Sequence, residues 1–221
     1  MKRLTLIFCA ALAIAACNNA SETEETKTPK DSTTTTPTPT TEATEPAPVL
    51  DSATMMKNWM DYATPGEVHK MMASWNGNWD GEVTMWETPT SAPQKSTTKA
   101  VNKMIFGGRY QISTHTGNMM GMPFEGQSIV GYDNGKKQFV SSWIDNMGTG
   151  IMYLTGPWDS ASKSITLTGK MVDPSAGNGH EVTMKEVLKI IDDNTQIMEM
   201  YYPGKDGKEF KTMEIKSVRK K

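Results

Sequence analysis

Gly77-Asn78-Trp79-Asp80-Gly81-Glu82-Val83-Thr84-Met85-Trp86 is the stretch from which the rest of the chain can be read. Trp79, Gly81, Val83 and Met85 fall on one side of a two-residue alternation; Asp80, Glu82 and Thr84 fall on the other. That period belongs to a strand with one face in a core and one in water. A large indole at the strand entrance, flanked by small residues, is placed to plug the closed end of a barrel.

Toward the C-terminus the same period recurs. Strands are expected near 79–87, 96–106, 108–115, 124–132, 137–145, 149–157, 163–172, 180–192, 195–202 and 209–218. Ile165, Leu167, Gly169 and Met171 oppose Ser164, Thr166, Thr168 and Lys170, while Val182, Met184, Leu188 and Ile190 oppose Thr183, Lys185 and Lys189. Turn signals such as Gly107-Gly108, Asp133-Asn134-Gly135 and Asp192-Asp193-Asn194 separate the runs. Short-looped strands with one apolar face imply an antiparallel meander, and closing it removes exposed edges. The expected fold is therefore all-β, an up-and-down barrel of about eight to ten strands. A two-sheet sandwich is the rival.

Toward the N-terminus one or two short helices are expected within residues 51–76. Ser52 to Tyr62 carries Met55, Met56, Trp59 and Met60 as an apolar stripe. Thr64-Pro65-Gly66-Glu67 reads as the start of a second helix, with Thr64 as the cap and Glu67 completing a capping box. Val68, Met71, Met72 and Trp75 follow at helical spacing, and Gly77 ends it.

Met1-Lys2-Arg3 and the apolar run Leu4 to Ala16 have the form of a secretory signal, too short to span a bilayer. Leu12-Ala13-Ile14-Ala15-Ala16-Cys17 resembles a bacterial lipobox, which implies cleavage before Cys17 and lipidation of its thiol. The other cysteine, Cys9, would leave with the signal, so the folded part has no thiol for a disulfide or metal site. Residues 17–50 are rich in Thr, Pro and Glu and read as a disordered tether. Residues 18–48 hold six acids against two lysines, whereas residues 51–221 hold nineteen acids and nineteen bases. A neutral folded part argues against nucleic acid as a partner. The expected partner is a membrane, reached through lipidated Cys17 in the bacterial envelope, with the outer membrane as its place. Ser21-Glu22-Thr23-Glu24-Glu25 is similar to export signals that send some Bacteroidetes lipoproteins to the cell surface.

Two resemblances bear on residues 77–221. Gly77-Asn78-Trp79 is similar to the Gly-x-Trp that begins the first strand of lipocalin-like barrels. Gly107-Gly108-Arg109-Tyr110, Met119-Met120-Gly121-Met122-Pro123-Phe124-Glu125-Gly126, Gly131-Tyr132-Asp133 and Trp143-Ile144-Asp145 resemble the bacterial "domain of unknown function 1579" family over roughly residues 66–200. The resemblance implies a lipocalin-like barrel and no established activity.

A barrel of this size holds either packed side chains or one small ligand. Trp79, Arg109, Tyr132, Trp143, Asp145 and Tyr153 combine aromatic bodies with polar heads and are the candidate lining for a small apolar or amphipathic ligand. The alternative is an envelope interaction protein whose barrel is filled, with Arg109 paired to Asp133 or Asp145. His115 with Met119, Met120 and Met122 offers an imidazole and three thioethers, a weaker candidate for Cu(I). Asp133 with Asp145, or Glu186 with Glu199, would be the carboxylate pairs of a weak enzyme. No phosphate loop, nucleophile elbow or zinc helix appears, and no cofactor is expected.

Overall fold

A computed structural model describes residues 48–221 apart from Met120 and Lys205. The expected signal peptide, Cys17 and all but the last three residues of the expected tether lie outside the described residues.

Two helices precede the sheet, α1 over Ser52–Ala63 and α2 over Glu67–Ser74. The boundary between them corrects the sequence expectation. The Thr64 hydroxyl donates to the Met60 carbonyl at 2.6 Å and closes α1, so it is not available to cap α2. Gly66 occupies the cap of α2, and its N–H donates to His69 Nδ1 at 3.1 Å. That contact takes up an amide which the first turn leaves unpaired. α1 buries none of its residues, whereas α2 buries His69 and Met72.

The strands are β1 (Gly77–Met85), β2 (Gln94–Ile105), β3 (Tyr110–Met119), β4 (Met122–Asp133), β5 (Gln138–Asp145), β6 (Met152–Gly156), β7 (Trp158–Asp159), β8 (Ser164–Val172), β9 (Glu181–Asp192), β10 (Thr195–Pro203) and β11 (Glu209–Arg219). Each strand from β1 to β6 pairs antiparallel with the next, as do β8 to β11. β1 also pairs with β11, and β6 with β8, so ten strands close into a ring. The two-residue β7 follows Pro157 and extends the β6 edge along β8. This is the closed antiparallel barrel that the alternation predicts, and the pairing of β6 with β8 leaves no second sheet for a sandwich.

Closure at β6 and β8 depends on two glycines. A Cβ on Gly156 would overlap the Thr166 carbonyl, and one on Gly169 would overlap the Tyr153 carbonyl. Only bare backbone lets the strands approach so closely.

α2 and the first residues of β1 close one end. Met72 and Trp75 join Phe139, Leu154, Ile165, Leu167 and Met184 in the buried cluster. Trp79 is 2% exposed, and its Nε1 donates to the Trp75 carbonyl at 2.9 Å. The Arg219 guanidinium lies 4.3 Å from the Trp79 ring and donates to the carbonyls of Ser74, Asn76 and Asp193 at 2.5–3.1 Å. Arg219 thereby ties the last strand, the first strand and α2 together at this end.

Candidate functional site

The register carries one row of side chains from each strand into the interior. Around the half of the barrel away from α2, several inward-facing residues remain only half-buried, among them Met85, His115, Trp143, Met152, Glu186 and Met213. Barrel diameter grows with strand number, and eight strands already suffice to hold one small ligand.

One wall of this interior is aromatic and polar. His115 and Trp143 meet edge to face with centroids 5.1 Å apart, and Phe124 stacks on Trp143 at 6.3 Å. The Trp143 ring, whose register partner on β4 is Ser128, reaches over Gly126, where a Cβ would overlap the indole. Trp143 Nε1 donates to Asp145 Oδ2 at 2.7 Å, and the second Asp145 oxygen accepts from Met147 N–H at 2.9 Å.

Behind the rings runs a hydrogen-bonded chain. Asn102 Nδ2 donates to the Trp75 carbonyl at 3.2 Å, and the Ser113 hydroxyl donates to Asn102 Oδ1 at 2.5 Å. With its single proton so used, Ser113 Oγ accepts from His115 Nε2 at 2.8 Å. Nε2 therefore carries a proton. Burial holds the imidazole down at about 4, so near neutral pH the ring is uncharged and Nδ1 is an acceptor.

The facing wall is made of β8 to β11 and is rich in methionine. Here Met184 and Leu188 flank Glu186 along β9, and Leu167 and Met200 sit across from it on the adjacent strands. Glu186 is half-buried by accessible area, yet desolvation alone pushes its carboxyl up to about 7. Among the described residues its carboxyl has no hydrogen-bond or ion-pair partner.

The residues singled out in the sequence separate into distinct places. Trp143 and Asp145 come together on the aromatic wall. Trp79 and Tyr132 belong to the closed end, where Tyr132 meets Phe139 and His69 edge to face. Arg109 is exposed in the turn between β2 and β3, donating to the Phe106 carbonyl at 3.1 Å, so it meets neither Asp133 nor Asp145. Tyr153 points outward and is 56% exposed.

The copper candidates do not converge. Met119 lies four positions along β3 from His115, roughly 13 Å away. Met119 pairs instead with Met122 at the hairpin end. Met120 lies outside the described residues. Neither proposed acid pair converges. Asp133 and Asp145 stand at opposite ends of the β4–β5 pair, with Asp133 held in its own turn by the amides of Gly135 and Lys136. Glu186 faces inward, while Glu199 is bound to Lys189, Lys211 and Tyr201 on the other face of the sheet.

The sequence reading passes over Glu186 as an interior group, although its period marks it. The inward row Val182, Met184, Leu188 and Ile190 skips one position, and the residue there is an acid. An acid on the apolar face of a strand was the available signal.

Residues 64–219 match the family model described as "Protein of unknown function (DUF1579)". The chain belongs to the DUF1579 family. The match starts just before α2 and takes in all of the barrel strands. No curated protein matches the chain. Among solved structures, "Rv2717c from M. tuberculosis" is similar at 12% identity and a TM-score of 0.53, covering 72% of this chain and 100% of that one. At that identity the likeness concerns the fold alone. A redesigned β-barrel covers 68% of this chain and 95% of its own, at 12% identity and a TM-score of 0.35. DUF1579 as a family carries no assigned activity, so any function must be argued from the site.

Proposed function

We propose that this DUF1579 protein binds one small, largely apolar molecule non-covalently in the half of the barrel away from α2. The observation that carries the reading is the set of inward-facing residues that stay half-buried between an aromatic wall and a methionine wall. Methionine suits such a wall because its unbranched side chain adapts to irregular ligand shapes. His115, Trp143 and Asp145 supply the few fixed polar groups that orient a bound molecule. Binding is favoured over acid–base chemistry because neither carboxylate pair converges.

The test uses N-phenyl-1-naphthylamine, a neutral dye that brightens in apolar surroundings. It should bind the full chain at about one per molecule. A variant carrying Met152→Trp and Met213→Trp fills the interior from two sides and should lose the dye while keeping its β-sheet circular dichroism. A dye that binds both proteins alike would place the apolar site elsewhere and end this reading.

We also propose that Cys17 is lipidated and anchors the barrel to a bacterial envelope membrane through residues 18–50. The support is the lipobox-like run ending at Cys17. Cells fed an alkyne-tagged fatty acid should label the chain, and Cys17→Ser should abolish labelling. Persistent label on the serine variant would refute the anchor.

A further inference from the structure

The ligand reading leaves the chemistry of the ligand's polar end open, and the ionisable groups of the interior narrow it. Those on the inward rows that carry charge or an imidazole are Glu186, Asp145, His115 and Arg219; the phenols of Tyr132 and Tyr202 lie on the same rows. Arg219 is committed to the closed end, where it covers Trp79 and donates to three carbonyls. His115 is neutral and presents an acceptor. Asp145 is an acid already engaged by Trp143 and Met147. Among the described residues, then, no uncommitted cation faces the interior; its free polar groups are the Glu186 carboxyl and His115 Nδ1 as acceptors, with the unpartnered Gln196 Nε2 as a donor toward the closed end.

Glu186 is the group in greatest need of a partner. Its nearest neighbours along and across the strands are Met184, Leu188, Leu167 and Met200, none of which can donate a hydrogen bond. A carboxyl enclosed this way is costly to ionise without a counter-charge. The opposite choice of ligand, an apolar acid, would set a third acid in a space that already holds two. A ligand bearing an ammonium group supplies both the missing charge and the missing donors.

We propose that the interior takes a cationic amphiphile, an amine on an apolar body, with its ammonium group held by Glu186. This inference rests on the proposed binding of a ligand in the barrel. It assigns Glu186 as the residue that selects among apolar molecules of similar size.

The test compares decylamine, decanol and decanoate by isothermal titration on the full chain at pH 8, each below its micelle concentration. Decylamine should bind at least tenfold more tightly than decanol, and decanoate more weakly than decanol. Glu186→Gln should cut decylamine affinity at least tenfold while leaving decanol within about twofold. Asp145→Asn, on the opposite wall, should leave the preference for the amine in place. Removing an unpaired buried acid favours folding, so the glutamine variant should melt no lower than the parent chain at this pH.

Decanol and decylamine binding alike, or Asp145→Asn removing the amine preference in place of Glu186→Gln, would overturn the role given to Glu186 and leave the ligand-binding barrel standing. Failure of all three probes to bind would overturn the inference together with the reading it rests on.

Discussion

Two residues inside the barrel titrate far from their ordinary values, and they bend the stability profile in opposite directions. Glu186 holds its proton to about 7 in the folded chain, against an ordinary value of 4.5. The folded state therefore binds more protons across that window. The stability this gives is full below about 4.5 and is lost as pH rises through about 7. His115 runs the other way, with about 4 in the folded chain against 6.5. Its contribution is full above about 6.5 and is lost as pH falls toward about 4. Each full shift corresponds to on the order of 3 kcal/mol. Over the shared window the two slopes offset one another. Glu186→Gln should therefore leave stability that rises with pH, and His115→Gln stability that falls. Urea unfolding between pH 4 and pH 8 reads both slopes, and parallel profiles for the two variants would contradict the assigned surroundings. These two residues also mark how far the sequence could be read. Trp143 and Asp145 stand out because aromatic and acidic residues alternate visibly. An acid on an apolar row disappears when only the apolar residues of that row are counted, and the committed role of Arg219 depends on chain ends 140 residues apart in sequence.

At the scale of elements, the hairpin pairings follow from local signals, and the closure of the ring does not. Alternation and turn residues placed most strands to within a few positions, because side-chain period and turn chemistry act over short stretches. Thr64 misleads a reading from sequence because its hydroxyl can serve the end of one helix as readily as the start of the next. The pairing of β6 with β8 leaves no comparable local trace beyond Gly156 and Gly169. Substituting Gly169→Val should prevent that close approach and cost more than about 3 kcal/mol or block folding outright, as over-packed sites do. Trp59→Ser on α1, where the indole is 70% exposed, should shift stability by no more than about 0.5 kcal/mol. Thermal melts of the two variants check the contrast. A Gly169→Val chain as stable as the parent would show that the ring does not depend on that contact.

At the scale of the whole molecule, the barrel is asymmetric along its axis. One end is sealed by α2, Trp79 and Arg219, where Trp79, Gln111 and Arg219 are hydrogen-bonded and Gln196 Nε2 is the buried donor left without a partner among the described residues. The other half keeps inward-facing side chains only half-buried, a neutral imidazole, and, among the described residues, a carboxyl with no partner of its own. A protein whose barrel served only as a packed scaffold would have no use for an unpaired acid among methionines, since such a group costs stability without building structure. The most direct measurement is native mass spectrometry of the full chain, purified gently from bacterial cells and then exposed to a lipid extract. The account predicts a discrete added mass, one ligand per chain, that is lost on denaturation and carries a basic nitrogen. The bare polypeptide mass both before and after exposure would contradict it and identify the barrel as a filled scaffold.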